Sequence, residues 1–120
     1  MRVLVVEDEP HIAEAVTFLL EREGHQVTVV ASGPETPEAM GEAVRGYDLL
    51  LLDIMLPGRS GFDIARDTLA LADRPKICVL TAKGQKEDRQ RMLNMGVDAF
   101  VSKPFSNSEL METVRSLAAS

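Results

Sequence analysis

The sequence predicts a small α/β domain with a parallel sheet and helices on both of its faces. Short apolar runs alternate with longer segments in which apolar residues recur at helical spacing. Three of the runs are apolar throughout, which is typical of strands that are covered on both faces. Because parallel strands need crossover connections, and these are nearly always right-handed, five strand and helix units predict a doubly wound sheet.

The five predicted strands are short apolar runs separated by helical segments. They lie at residues 2–6, 26–30, 48–53, 76–81 and 98–102. The run LLLLDIMLPGRSG, residues 49–61, is the most apolar stretch of the chain and leads directly into a carboxylate, Asp53. An unpaired charge in such surroundings would be costly, so this aspartate needs a positively charged partner or a position at the edge of the sheet.

The first two helices are indicated by proline and glycine. Pro10 suits the first turn of a helix and Gly24 its C-terminal stop, with an apolar stripe between them. The second helix is expected somewhere in 36–45, where several prolines and glycines predict a short element.

The last three helices are indicated by caps and a stop signal. The segments SGFD, residues 60–63, and SNSE, residues 106–109, resemble capping boxes and place helix starts at about 61 and 107. A further helix near 85–95 is expected to end at Gly96.

Length and composition exclude several classes of protein. With 120 residues the chain is expected to form one domain, 1–120, with a core that needs no disulfide or structural metal. The net charge of −6 argues against direct binding of nucleic acid by this segment. No apolar run approaches a membrane span and the acidic start is unlike a signal peptide, so a cytoplasmic location is expected.

The single cysteine, Cys78, cannot form a disulfide within the chain. Its apolar neighbours Ile77, Val79 and Leu80 predict a small buried residue in a strand. A reactive thiol is the alternative, which burial among apolar neighbours disfavours because it raises the pKa of a thiol.

Chemistry is expected at the carboxyl ends of the strands, where doubly wound sheets bind their ligands. The residues at or just after these ends are acids, a hydroxyl and an ammonium: Glu7, Asp8, Glu9, Asp53, Thr81 and Lys103. Each has a simple structural explanation when taken alone. Glu9 fits a helix N-cap, Thr81 a strand-end hydroxyl bonded to the backbone, and Lys103 a solvated loop lysine.

The combination of these side chains points to a bound cation. Glu7, Asp8 and Asp53 at neighbouring strand ends would repel one another by about 1–4 kcal/mol per pair near 4 Å. Mg²⁺ offsets such repulsion and prefers carboxylate, carbonyl and water oxygens. The alternative is relief by raised carboxyl pKa values and by Lys103 alone. Beside Mg²⁺, a lysine and a hydroxyl, Asp53 has the surroundings of a nucleophile that accepts a phosphoryl group.

From Arg2 to about Leu117 the chain resembles the receiver domain of bacterial two-component response regulators. The motifs that carry the resemblance occur in order at suitable spacing: VLVVEDEP, LLLLDIMLPGRSG, VLTAK and FVSKPF. The resemblance implies a flavodoxin-like (βα)5 fold with strand order 2-1-3-4-5. It also implies a signalling module, not an enzyme acting on other molecules, which is phosphorylated on Asp53 by a sensor histidine kinase, a phosphotransfer protein or a small phosphodonor.

The resemblance assigns metal-binding roles to four positions. Asp8 and Asp53 would ligate Mg²⁺ directly, Glu7 directly or through a water, and the backbone carbonyl of Met55 would add another oxygen. Lys103 would pair with the phosphoryl group, and the bond from Lys103 to the proline after it would be a cis peptide.

The resemblance also implies a switch. Phosphorylated Asp53 would draw Thr81 inward, the ring of Phe100 would turn inward with it, and the face formed by the fourth helix, fifth strand and fifth helix would change. That face would act on an output domain or an effector protein. The structural alternative for Phe100 is a plain core residue.

One familiar dimer contact is missing from the sequence. Many receivers that drive winged-helix transcription factors pair an aspartate just before the switch aromatic with an arginine in the last helix, where this chain has Ala99 and Thr113. A homodimer through the same face would need other ion pairs, for which Asp98, Glu109 and Arg115 are candidates.

Two other classes of protein share some of these features. Haloacid-dehalogenase-like phosphohydrolases also place a nucleophilic aspartate after a parallel strand, but they require a second aspartate where this chain has Met55. A pseudo-receiver used only for protein contacts is disfavoured because such modules can lose their acids, hydroxyl and lysine without penalty.

Overall fold

The computed structural model describes residues 1–32, 36–54, 60–82 and 86–119, without the side chains of Pro37 and Ala82. Strands and helices alternate in the order β1 (Arg2–Val6), α1 (Pro10–Arg22), β2 (Gln26–Val30), α2 (Pro37–Val44), β3 (Leu49–Asp53), α3 (Gly61–Leu69), β4 (Lys76–Ala82), α4 (Lys86–Met95), β5 (Ala99–Lys103) and α5 (Asn107–Ala119). All five predicted strands and all five predicted helices are therefore confirmed.

The strands form one parallel sheet in the order β2-β1-β3-β4-β5. This confirms the predicted doubly wound fold with strand order 2-1-3-4-5. The central strand β3 is buried along its whole length, which explains its run of four leucines. Asp53 is the last residue of that strand, so it lies at the end of a fully buried element of the sheet.

Two apolar cores lie on opposite faces of the sheet. One is formed with α1 and α5 and includes Val5, Leu51, Leu20 and Leu110. The other is formed with α2, α3 and α4 and includes Val6, Leu52, Met40, Ile64 and Met92. Successive residues of a strand point to opposite faces, so each central strand supplies both cores.

Two strands begin one residue later than predicted, directly after an aspartate whose side chain bonds to the backbone of a neighbouring strand. Asp48 Oδ2 accepts the N–H of Arg2 at 2.8 Å, and Asp98 Oδ2 accepts the N–H of Ile77 at 2.8 Å. β3 and β5 begin at the residues that follow these aspartates.

The predicted helix boundaries are confirmed by side-chain caps. Ser60 Oγ accepts the N–H of Asp63 at 3.3 Å and Ser106 Oγ accepts that of Glu109 at 3.1 Å. Glu9 caps α1 by accepting the N–H of His11 at 3.3 Å, as its position before Pro10 suggested.

The predicted stop after α4 is confirmed by backbone geometry. Gly96 has a φ of +102°, in the left-handed region that L side chains rarely adopt. Within the described ranges, no helix has both the length and the apolar content to cross a lipid bilayer.

Candidate functional site

The carboxyl ends of the strands bring the predicted acids together. Glu7 and Asp8 follow β1, and Asp53 ends β3, which is the neighbour of β1 in the sheet. Each of these residues has a carboxylate oxygen within 4.8 Å of the corresponding oxygens of the other two. The predicted convergence of three acids at one edge of the sheet is therefore found in the structure.

Lys103, the last residue of β5, reaches across this edge to two of the acids. Its Nζ lies 2.9 Å from Glu7 Oε2 and 3.1 Å from Asp53 Oδ2. Burial disfavours the ammonium, but the hydrogen bonds to Glu7 and Asp53 outweigh it and raise the pKa of Lys103. The lysine is therefore a charged partner of the acids and not a solvated loop residue. The bond between Lys103 and Pro104 is cis, as predicted.

Glu7 is the most enclosed acid of the group, with 2% of its surface exposed. Its Oε1 accepts the backbone N–H of Glu9 at 3.0 Å, while Oε2 faces Lys103. Burial raises the pKa of Glu7, although the contacts with Lys103 and the Glu9 backbone oppose that effect. Glu7 therefore also fixes the position of the ammonium, a role that the sequence did not suggest.

The donor chemistry of this cluster fits Mg²⁺. Three carboxylates face one ammonium, so the acids retain an excess of negative charge. All donors are hard oxygens, and Asp8 is exposed, which leaves room for the waters that Mg²⁺ retains. Met55, whose carbonyl is the fourth predicted ligand, lies outside the described residues.

Thr81 is fully buried and lies on β4, the strand between β3 and β5 in the sheet. Its Oγ1 is 3.5 Å from Oγ of Ser102, its partner in the register of β4 and β5. The neighbour of the Thr81 hydroxyl is therefore the hydroxyl of Ser102. The sequence had offered a backbone group as its structural alternative. Ser102 was not singled out from the sequence, because only the strand register brings the two hydroxyls together.

Phe100 lies on the same edge strand as Lys103, three residues earlier. Its half-buried ring packs partly against the core of α2, α3 and α4. The guanidinium of Arg89, on α4, covers the ring at 4.1 Å from its centroid. The Phe100 ring therefore lies between the apolar core and α4. It contacts Arg89 as well as core residues, so it is not a plain core residue.

Gly61, the first residue of α3, contacts the end of β3 directly. Its N–H donates to the carbonyl of Ile54 at 2.9 Å. The last glycine of the GRSG segment was the only sequence signal for this close approach.

The comparison with protein families settles the class of this domain. Residues 3–115 match the family model of the response regulator receiver domain. The chain belongs to this family. As a receiver domain, it is a signalling component of two-component systems, which confirms the resemblance drawn from the four motifs.

Curated relatives of this receiver are longer regulators. It is 42% identical over 116 residues to the sensory transduction protein RegX3 of Mycolicibacterium smegmatis, a match covering 96% of this chain and 49% of RegX3. It is 43% identical over 117 residues to the transcriptional regulatory protein CutR of Streptomyces coelicolor, covering 98% of this chain and 53% of CutR. The receiver spans about half the length of these relatives.

Solved structures share the fold of this receiver over almost its whole length. The receiver domain of the sensor histidine kinase PA1611 from Pseudomonas aeruginosa PAO1 is 32% identical, with a TM-score of 0.84 over 99% of this chain and 98% of that one. That structure is described as having a magnesium ion coordinated in its active site cleft. The chemotaxis protein CheY4 of Vibrio cholerae is 25% identical with a TM-score of 0.80, over 97% of each chain.

Proposed function

We propose that this receiver accepts a phosphoryl group on Asp53 from a phosphorylated histidine of a sensor kinase or phosphotransfer protein, or from a small phosphodonor. The observation that carries the proposal is the contact of Lys103 with Asp53 at 3.1 Å beside a cluster of three acids. Phosphoryl transfer depends on positioning and on compensation of spread negative charge, and this arrangement serves both.

The reaction joins Asp53 to phosphorus. A carboxylate oxygen of Asp53 attacks the phosphorus atom, the bond from phosphorus to the donor nitrogen breaks, and its electron pair stays on the donor imidazole. The product is an acyl phosphate on Asp53. The Lys103 ammonium compensates for charge on the phosphoryl oxygens, and Glu7 keeps that ammonium at the edge of the sheet.

The proposed metal ligands are Glu7, Asp8, Asp53 and the backbone carbonyl of Met55. When bound, Mg²⁺ supplies further neutralisation of the phosphoryl oxygens. Support for this assignment comes from the donor set of the acidic cluster and from the magnesium ion in the PA1611 receiver.

The proposed output is a change in the face formed by α4, β5 and α5, relayed by Thr81 and Phe100. An output domain or effector protein would recognise that face, as the names of the curated relatives suggest for regulators of this kind. A homodimer through the face would use contacts other than Asp98 and Arg115, which pair within the chain with Arg74 and Glu23.

The wider proposal concerns the setting of the domain. We propose that residues 1–120 form one receiver domain that acts in the cytoplasm without binding nucleic acid itself. The family match over residues 3–115 and the net charge of −6 support this.

Phosphorylation can be tested by intact-protein mass spectrometry after incubation with acetyl phosphate and Mg²⁺. We expect the mass of one phosphoryl group to be added to the wild type, and not to Asp53→Asn or in the presence of a chelator. Asp73→Asn, at an exposed position, is the matched control and should be phosphorylated like the wild type. A wild type that gains no phosphoryl group from any donor would exclude the proposal.

The switch can be tested with beryllofluoride, which mimics a phosphoryl group on an aspartate. We expect the amide resonances around Phe100 to shift in the wild type and to shift much less in Thr81→Ala. An unchanged spectrum around Phe100 in the wild type would contradict the proposed relay.

A further inference from the structure

Arg89 and Phe100 form a close contact between α4 and β5. The guanidinium carbon lies 4.1 Å from the ring centroid, well inside the range of a cation–π interaction. Nε of Arg89 is shielded from solvent, yet it has no hydrogen-bond partner among the described residues. The ring is therefore the principal partner that the described part of the chain offers to this buried portion of the guanidinium.

This contact matters because α4 is otherwise weakly anchored. Met92 is the buried residue of α4, and the rest of the helix is strongly polar. A second arginine of α4, Arg91, covers the ring of Phe62 on α3 at 4.0 Å. Two arginine and aromatic pairs therefore add to the contacts that Met92 makes between α4 and the rest of the domain.

The stack on Phe100 holds its ring on the side of α4. Phe100 lines a surface groove of about 280 Å³ together with Lys86, Arg89, Gln90 and Leu93. In the strand register Phe100 pairs with Val79, and Thr81 lies two residues further along β4 on the same face of the sheet. A ring that turns towards Thr81 must therefore leave the guanidinium.

We propose that Arg89 is a positioning residue that stabilises the outward orientation of Phe100 in the unphosphorylated receiver. Its stack opposes the switch and sets the fraction of molecules that are already in the active arrangement. The inference rests on the proposed function, because it concerns the same Thr81 and Phe100 relay.

Linkage gives the expected effect at Asp53. A contact that is present in the resting arrangement and lost in the active one lowers the affinity for any ligand that selects the active arrangement. Removing the stack should therefore increase the apparent affinity for beryllofluoride by about two- to fivefold, the range expected for one partly exposed cation–π contact.

The test is a beryllofluoride titration in Mg²⁺, followed through the amide resonances of β5 by nuclear magnetic resonance. Arg89→Met keeps most of the side-chain length and removes the cation, whereas Arg89→Lys keeps a cation with a smaller contact on the ring. Arg22→Met is the matched control. It makes the same change of charge and removes a similar stack, on Phe18 at 5.6 Å, from the exposed face of α1.

We expect Arg89→Met to bind beryllofluoride more tightly than the wild type, Arg89→Lys to be intermediate, and Arg22→Met to match the wild type. The free Arg89→Met protein should also show β5 resonances displaced towards their beryllofluoride-bound positions. Equal affinities of Arg89→Met and Arg22→Met for beryllofluoride would overturn the inference. If Arg89→Met does not fold, an Arg89→Lys affinity equal to that of the wild type would overturn it. Failure of the proposed function is distinct, because the wild type itself would then not respond to beryllofluoride.

Discussion

Gly61 lies so close to the backbone of Asp53 that no side chain fits between them. A Cβ placed on Gly61 would be 2.6 Å from the carbonyl oxygen of Asp53 and 2.6 Å from Cα of Ile54. The contact involves backbone atoms of a fully buried strand, which cannot move aside as a flexible side chain can. The start of α3 is thus fitted directly against Asp53, the proposed phosphoacceptor.

Gly61→Ala is therefore expected to destabilise the domain by about 2 kcal/mol or more, because α3 or the end of β3 must shift. Thermal unfolding measures the loss. A variant that remains folded should also be phosphorylated more slowly by acetyl phosphate, since Asp53 moves with the backbone.

Gly41→Ala is the control for this prediction. Gly41 lies within α2, where an added Cβ would meet only Cδ2 of Leu71 at 3.6 Å. Replacing a helical glycine by alanine should stabilise the domain by about 0.5–1 kcal/mol. Equal stability of the two variants would show that the close approach of Gly61 does not constrain β3.

Removing the ammonium of Lys103 should change the response of the domain to Mg²⁺. In Lys103→Gln, Glu7 and Asp53 lose the cation that bridges them, so the variant should unfold at a lower temperature than the wild type without metal. Its affinity for Mg²⁺ should rise by about tenfold, because the ion no longer approaches a fixed positive charge. Calorimetric titration and thermal unfolding with and without Mg²⁺ measure both effects.

Arg45→Gln serves as the matched control for Lys103→Gln. Arg45 is exposed at the C-terminus of α2, which precedes β3 and so lies at the opposite edge of the sheet. Its loss should leave Mg²⁺ affinity near the wild-type value. Weaker Mg²⁺ binding by Lys103→Gln would contradict the prediction, because it would show that the Lys103 ammonium does not oppose the binding of the ion.

Asp98 should make stability depend on pH in the acidic range. Burial opposes its ionisation, but hydrogen bonds from Arg74 at 2.9 Å and from the Ile77 backbone at 2.8 Å outweigh that effect and lower its pKa. The contribution of Asp98 to the free energy of unfolding is therefore complete above about pH 3.9, the pKa of an aspartate in the unfolded chain. It is lost as the pH falls through the lower pKa that Asp98 has in the folded protein.

At pH 7 Asp98→Asn should cost about 1 kcal/mol in the free energy of unfolding, and the difference from the wild type should shrink only below about pH 4. Denaturant unfolding at a series of pH values measures it. The exposed Asp73, in the turn between α3 and β4, supplies the control variant Asp73→Asn, which should show little loss. A difference in the free energy of unfolding between the wild type and Asp98→Asn that grows as the pH falls would contradict this prediction.

Cys78 should be inert in the folded protein. Burial on β4, with a smaller contribution from Asp98, raises the pKa of its thiol to about 12. A thiol reagent at pH 8 should therefore label the native chain only at the rate at which the structure opens, and should label the denatured chain at once. Rapid labelling of the native protein would show that β4 is accessible from solvent.

The fold could be predicted because its signals are local. Proline and glycine at helix ends, Ser60 and Ser106 as caps, and unbroken apolar runs in buried strands each act within a few residues. The two strand starts that were predicted one residue early follow Asp48 and Asp98, whose carboxylates bond to residues far away in the sequence.

The candidate site could be predicted only in part, for the same reason. Glu7, Asp8, Asp53 and Lys103 all stand at strand ends, so the order of the strands alone brings them to one edge. The bridge of Lys103 to Glu7, the approach of Gly61 to Asp53 and the stack of Arg89 on Phe100 depend on how separate elements pack together. Of these three contacts, only the approach of Gly61 has a signal in the sequence, which is the glycine itself.

The separation of the two apolar cores has a consequence for how such a domain can diverge. The core shared with α1 and α5 and the core shared with α2, α3 and α4 have no residue in common, and the sheet lies between them. Substitutions that alter the packing of one face leave the other face with its own set of neighbours. A lineage can thus repack the helices of one layer while the helices of the opposite layer keep their own apolar neighbours.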